Sequence, residues 1–346
     1  MYSTTLKKRF CKDTNIPINL FQEPYFSERL KLYDNAFNSL KKWKTFIHSL
    51  SIYNNEEEYL NYYNHIKDKI INDIQSKSDY IKFNEENMNN FKIYSKITSN
   101  NIFNSQNNNK IFISIDMNKA NFSALHNYNS NIFNNKNTWE EYVSNFTNNE
   151  HIINSKYIRQ VVLGNCNPKR CITYEKYLMS KFLNVISKYI DKELFVSFSN
   201  DEIIININLF YNEQKNIINN LINDIKNFNV PLSIEVFKLH KIQCNNSSIN
   251  GYIKQIYNLK DFYNINYNDN FKPISIKGLN SLFLPLVLRK LNNEEVTEND
   301  KIFYHEGFLS KFIEVPNFII NDEVLGHFNK YKNIIWILYI WIFCEF

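Results

Sequence analysis

The sequence predicts an α+β protein: an antiparallel sheet with packed helices, a helical N-terminal region and a small mixed C-terminal region. Three observations predict it. Ile111–Leu125 and Leu194–Asn208 each open with a run of β-branched and aromatic residues, the composition of a buried strand. Several other segments repeat apolar residues every three or four positions, the stripe of an amphipathic helix. The last hundred residues combine one such stripe with a hairpin pattern. The expected regions are 1–105 (helical), 106–245 (the sheet-bearing core) and 246–346 (mixed).

Taken in order, Phe26–Leu50 reads as one helix, with Phe26, Leu30, Tyr33, Phe37, Leu40, Ile47 and Leu50 on its inner face. Glu56–Ser76 reads as a second, with Tyr59, Tyr63, Ile66, Ile70 and Ile74 inward and acids in the first turn, where the helix dipole favours them. The two together suggest a helical hairpin. Phe91–Thr98 suits a short strand or a helix end, and the asparagine runs around 100–109 and 131–137 suit loops. Asn121–Tyr128 turns helical after the first strand, and Thr138 is placed to cap a short helix through Phe146. Ser155–Arg170 carries Lys156, Arg159, Lys169 and Arg170 around a Gly-Asn-Cys-Asn-Pro turn, and a helix follows over Thr173–Tyr189. Beyond the second strand come a helix at Glu213–Phe228, a strand at Leu232–Leu239 leading to Lys241, and a short strand at Gly251–Tyr257. A helix near Leu279–Leu291 precedes a hairpin, Lys301–Tyr304 with Phe308–Ile313, turning at His305-Glu306-Gly307. Ile334–Cys344 is apolar but short of the roughly 20 residues that span a bilayer. It suits a docked helix or strand, or the ragged end of an incomplete reading frame.

Composition narrows the classes. With 346 residues, 44% hydrophobic and 16% aromatic, the chain can bury one large core or two ordinary ones, which argues against disorder. The asparagine and lysine excess with only 5 glycines resembles the imprint of an AT-rich genome, so it carries little about function. A formal charge of +5 is compatible with a polyanionic partner. Five cysteines without a CxxC pair suit a reducing compartment, with neither zinc nor disulfides. No apolar stretch follows Lys7, Lys8 and Arg9, so no signal peptide is expected and the location reads as intracellular, without a membrane partner.

The chemistry lies in the two strands. Each places carboxylates where a core strand is normally apolar: Asp116 in the first, Asp201 and Glu202 in the second. A buried carboxylate is costly unless paired or bound to a cation. Side by side, the strands would bring Asp116 and Asp201 to one edge of a sheet, an arrangement suited to a pair of divalent metals. Each acid also suits a frayed strand end in water, and the strands alone leave that reading open.

The order of parts, an Asp strand, a basic Gly-Asn turn entering a long helix, an Asp-Glu strand, a helix and a strand with Lys, resembles the palm of template-dependent nucleic-acid polymerases, reverse transcriptases most closely. DMNKANF matches their motif A, with Asp116, Ala120 and Phe122 in place. GNCNPKR, Gly164 to Arg170, is similar to motif B, with Asn167-Pro168 standing for its Ser-Pro. FSNDE is similar to motif C, the hairpin turn with two acids, and Lys238 or Lys241 to the lysine of motif D. The likeness covers Ile111–Gln243. It departs from the family at motif C, where Phe198 or Ser199 replaces the aromatic and Glu202 the second Asp, and no motif B Gln is evident. Abbreviated viral and transposon relatives of family A DNA polymerases are the rival likeness, through the similarity of SNDE to their His-Asp-Glu.

The resemblance implies a palm-like sheet and a nucleotidyltransferase of viral or mobile-element type, acting on nucleoside triphosphates with a nucleic-acid template and primer. It implies two Mg²⁺ (or Mn²⁺) ions on Asp116 and Asp201, with the Met117 carbonyl and Glu202 as further ligands, and Lys241 as general acid for the pyrophosphate. Arg159, Lys169 and Arg170 would meet triphosphate or template, and the Gly164-Asn165 turn would let backbone approach the nucleotide. Asn121 would lie beneath the ribose. Strand alternation would send Phe122 to the opposite face from Asn121, toward the core. Two other classes stay open: a non-catalytic nucleic-acid-binding protein on a degenerate palm, and an interaction protein in which the acids are incidental.

Overall fold

The computed structural model describes residues 2–343 except 94, 96, 247, 268–270 and 306, with the side chains of 305 and 333–343 also outside the description. The chain opens with a helix that the sequence reading missed, α1 (Thr4–Thr14), capped by the Ser3 side chain. The single helix expected over Phe26–Leu50 is three: α2 (Tyr25–Leu32), α3 (Asp34–Phe37) and α4 (Ser39–Leu50). The break comes at Asn38, whose backbone is left-handed (φ 53°), a conformation that ends a helix while the apolar spacing carries on past it. α5 (Glu56–Ser76) matches its expected bounds and buries Tyr59, Tyr63, Ile66, Ile70 and Ile74. α6 (Ser78–Glu85) follows, and Met88–Phe91 is one turn of 3₁₀ helix, so the expected segment Phe91–Thr98 begins at a helix end, with Tyr94 and Lys96 outside the described residues.

Next come β1 (Ile111–Met117), α7 (Ala120–Tyr128), α8 (Trp139–Val143), α9 (Glu150–Ile153), α10 (Lys156–Gly164) and α11 (Pro168–Ile186). Thr138 caps α8 by accepting from the Glu141 N–H. The hairpin β2 (Phe195–Phe198) and β3 (Glu202–Asn206) leads to α12 (Tyr211–Asn227) and β4 (Leu232–Lys241). The remaining elements are β5 (Gln243–Cys244), β6 (Tyr252–Ile256), α13 (Leu259–Tyr263), β7 (Ile274–Lys277), α14 (Leu284–Leu291), the hairpin β8 (Ile302–His305) with β9 (Phe308–Lys311), β10 (Phe318–Ile319) and α15 (Asp322–Phe343). Of the expected hairpin turn, Glu306 lies outside the described residues. Among the described residues, no helix is long and apolar enough to cross a membrane.

The fold is α+β, around a six-stranded antiparallel sheet ordered β2-β3-β1-β4-β6-β7. Its first four strands, with the helices between them, follow the β-α-β-β-α-β path of a split βαβ unit, in which β1 is inserted between β3 and β4. Strand alternation divides the sheet into two unlike faces. Ile113, Ile115, Ile203, Ile205, Ile234 and Val236 face a large core shared with α7, α11 and α12. Phe112, Ile204, Phe237, Leu239 and Tyr252 point the other way, into a small cluster beneath Ile102, Phe103 and Phe271. Toward the end where β1 leaves the sheet, that second face becomes polar.

The large core is continuous from Leu6 to Phe328, so the helical, sheet-bearing and mixed regions share it. A buried charge cluster also joins the first region to the last. Arg29 of α2 donates to Asp300, to the Asn299 and Ile302 carbonyls, and Asp300 also accepts from Arg289 at 2.8 Å and from Thr297. Arg29 and Asp300 are almost wholly buried, so removing Arg29 takes one of the two cations from a carboxylate in a medium that solvates it poorly, leaving it the partly exposed Arg289. We expect Arg29→Met to lower unfolding stability by about 3–5 kcal/mol. Urea denaturation checks this, and an unchanged midpoint would show that the cluster contributes nothing.

Candidate active site

The site begins with register. β1 pairs antiparallel with β3, placing Asp116 directly opposite Glu202, and the Met117 N–H donates to the Asp201 carbonyl at 2.8 Å. Asp201 lies in the tight turn between β2 and β3. The Ser199 N–H donates to the Glu202 carbonyl at 2.9 Å, the Glu202 N–H donates to Ser199 Oγ at 3.1 Å, and Ser199 Oγ reaches Asp201 Oδ1 at 3.3 Å. Ser199, where the resemblance has an aromatic, thus fastens the turn that carries the acids.

The carboxylates feel one another. Asp116 is exposed to solvent, yet dense protein around it makes burial the first cause of a carboxyl pushed up to about 7, followed by the charges of Asp201 and then Glu202. This is a carboxylate in a depression that water reaches, crowded by like charge. From beneath the turn, Glu175 of α11 is buried, and its carboxyl is also pushed up to about 7, by burial first and by Asp201 second. Glu175 Oε1 has no hydrogen-bond partner.

Beside the acids on the same sheet face runs a charged row. Ser114 Oγ donates to Glu202 Oε1 at 2.5 Å, and opposite Ser114 lies Glu235, which accepts from the buried Lys254 ammonium at 2.8 Å. Lys254 also stacks over Phe237, and its charge partly offsets the crowding of Asp116. Lys277 has a lowered pKa, first from burial and then from Lys254, while Glu235 and Glu202 act in the opposite sense. Sequence reasoning missed Ser114, Glu175, Glu235, Lys254 and Lys277. Period-two counting from Asp116 reaches Ser114, and cross-strand pairing then reaches Glu235. Glu175 and Lys254 gave no such signal, since a helix and a strand arriving from distant sequence place them here.

Other expected residues sit differently. Lys241 is at the far end of β4, eight positions from Ser233, the residue opposite Asp116. At about 3.3 Å per residue that is roughly 25 Å away, so Lys241 does not reach the acids. Lys238, its alternative, is paired with Glu323 at 2.6 Å. Asn121 and Phe122 belong to the first turn of α7 rather than to a continuing strand, so alternation does not govern them. Phe122 is nevertheless buried, against Phe133, and Asn121 keeps a buried Oδ1 without a partner. The Gly-Asn turn differs as well. Gly164 closes α10 with open space where a Cβ would be, and the left-handed residue is Asn167 (φ 55°), just before Pro168 starts α11. The freedom of glycine is therefore not used at Gly164. Asn165 and Lys169 are exposed, whereas Arg170 donates to the Phe83 and Glu86 carbonyls, which commits its guanidinium to holding α6. Arg159 on α10 is half-buried and feels Glu140, which is ion-paired with Lys119, two residues past Met117.

The donors at the sheet end are carboxylate and carbonyl oxygens, which suit a hard cation such as Mg²⁺ or Mn²⁺ in kind. Among the described residues, no three His, Cys, Asp or Glu side chains form a metal-holding group. Mg²⁺ is commonly held by one or two carboxylates together with substrate phosphates, so Asp116 and Asp201 fit that mode better than a closed protein cage. Compared with protein-family models, curated proteins and solved structures, the chain matches none.

The acid pair carries a pH consequence. Between about 4 and 7, the folded chain holds protons on Asp116 and Glu175 that the unfolded chain has released. Stability from these groups is therefore complete below the ordinary carboxylate range and is lost as pH rises toward 7. In chelator, we expect wild type to lose stability across that interval and Asp116→Asn and Glu175→Gln to flatten the profile. Superimposable profiles for all three proteins would refute the coupling.

Proposed function

We propose that the chain is a nucleotidyltransferase of the palm type, using a divalent cation held between Asp116 and Asp201 to join a nucleoside triphosphate to a nucleic-acid primer. The observation that carries the reading is the turn: a tight hairpin bearing Asp201 and Glu202, laid against the strand bearing Asp116 at the edge of a split βαβ sheet. Mutual repulsion there leaves a deficit of positive charge, which a cation and its bound substrate would fill. When bound, such an ion supplies charge stabilisation at the transferring phosphoryl group and lowers the pKa of the attacking hydroxyl. Asp116 and Asp201 would hold it. Glu202, tied to Ser114, orients from one side, and Glu175 acts through Asp201 from beneath. Lys254 and Lys277, rather than Lys241, are the cations near enough to balance the acids.

Primer extension with Mn²⁺ or Mg²⁺ tests the proposal. Asp116→Asn and Asp201→Asn should each abolish incorporation, by about 10³-fold or more, as expected when transition-state charge stabilisation is removed. Glu202→Gln should cost less. Salt-sensitive nucleic-acid binding without incorporation by wild type would favour the non-catalytic alternative and reject this one.

Asn121, half-buried in the first turn of α7, bears on sugar choice. An amide at the entrance to α7 can hydrogen-bond a 2′-hydroxyl, where a bulkier side chain would clash with it. Wild type should use ribo- and deoxyribonucleotides with little discrimination, and Asn121→Tyr should shift the preference toward deoxyribonucleotides. Single-turnover incorporation of matched substrates decides it, and strong deoxyribonucleotide selectivity that survives Asn121→Ala would place the gate elsewhere.

A further inference from the structure

A second feature lies between the N-terminal helices and the outer strand of the sheet. A cavity of about 920 Å³ is lined by Lys8 and Lys12 of α1, Lys42 of α4, Lys156 at the start of α10, Lys272, and Lys277 of β7. No Asp or Glu is among its lining residues, although the chain as a whole has 35 acids to 40 Lys and Arg. Among the described residues, none of the six is ion-paired, whereas many other lysines are, Lys7, Lys119, Lys238 and Lys254 among them. The floor is apolar, with Ile18, Phe21, Phe37 and Leu284.

Six lysines line this one space with no carboxylate among its walls, Lys277 alone feeling Glu235 and Glu202 from outside it, and such a surplus of like charge favours an anion there. Lys42 shows this, with its pKa lowered by burial and by Lys272. A single phosphate would leave most of the charge unmatched; a chain of phosphates would not. The volume falls within the range of sites that enclose small ligands, about 300–1,000 Å³, whereas a polynucleotide strand needs a groove open at both ends. We propose that this cavity binds a compact polyphosphate, inorganic or carried on a nucleoside, between α1, α4, α10 and β7. The site stands on these lysines alone and does not depend on the cation proposed between Asp116 and Asp201.

The experiment uses the full chain in chelator, with calorimetry and thermal melting, and three probes: inorganic tripolyphosphate, ATP and a single-stranded oligo(dT). Tripolyphosphate and ATP should bind and raise Tm, as any ligand selective for the folded state does. Tighter binding of ATP would show that the apolar floor holds the base, and equal binding that the phosphate chain alone is recognised. The triple variant Lys12→Gln, Lys42→Gln and Lys272→Gln should weaken both ligands by about tenfold or more. The corresponding triple Lys→Arg variant should retain binding, which separates lost charge from failure to fold. Asp116→Asn should bind normally, so this proposal and the proposed function can fail separately. Three results would overturn it: no binding, binding of oligo(dT) alone, or an equal loss on neutralising Lys188, Lys192 and Lys226, exposed lysines outside the cavity.

Discussion

Pairing of β1 with β3 is the constraint on which the arrangement depends. Asp116 and Glu202 meet because the two strands run antiparallel in one particular register, and a slip of one residue would turn Asp116 into the isoleucine-rich core. Five isoleucines on the core-facing side of β1 and β3 and in β4 make that slip costly, since it would turn them out of the core and bring Ser114, Asp116, Glu202 or Glu235 toward it. The apolar side of the sheet thereby fixes the position of the polar side. Hydrophobic packing, which has no direction of its own, is converted by strand alternation into a definite placement of charge.

The molecule holds two kinds of buried charge. Around Asp300 the account is closed: two arginines, a threonine and backbone groups satisfy the carboxylate, and the cluster joins α2 to the C-terminal region. Asp13 is another such centre, accepting from Tyr63 and Ser155 and paired with His151. At the sheet edge the balance is left open. Asp116 and Glu175 are crowded by like charge, Glu175 keeps an oxygen unpartnered, and Asn121 does the same. Unpartnered buried polar atoms also occur at Tyr59, Trp139 and His240, so it is the crowding of like charge that sets this site apart from the clusters that hold the fold.

Much of this was legible in the residues. β1, α5, α12 and β4 follow from apolar composition and periodicity, and acids inside apolar strands marked the end of the sheet. Leu194–Asn208, read from its residues as one strand, is instead the hairpin β2–β3, whose turn only the polymerase resemblance implied. What escaped were relations that periodicity does not encode. Lys241 was implied by the resemblance to motif D, but an extended strand carries it away from the acids, while Lys254 arrives from β6. Arg170 looked like a free cation in a basic turn, yet the carbonyls of 83 and 86, far back in sequence, claim it. The break at Asn38 was hidden because the apolar spacing runs through it. In each case, a long-range partner or a single backbone angle decided the outcome.

That angle recurs. Among the described residues, the non-glycine positions with positive φ are Asn15, Asn38, Asn109, Asn134, Asn135, Asn167, Asn264 and Asn293, with Lys119 the one exception. Asparagine tolerates the left-handed region better than other side chains that carry a Cβ, and here it stops helices and turns loops where glycine commonly would. The asparagine excess, which carries little about function, is thus part of the architecture. It also acts on the state that has no architecture. An unfolded chain with asparagine at these bends wanders through fewer backbone conformations than one with glycine, so less disorder is surrendered at each bend when the chain folds.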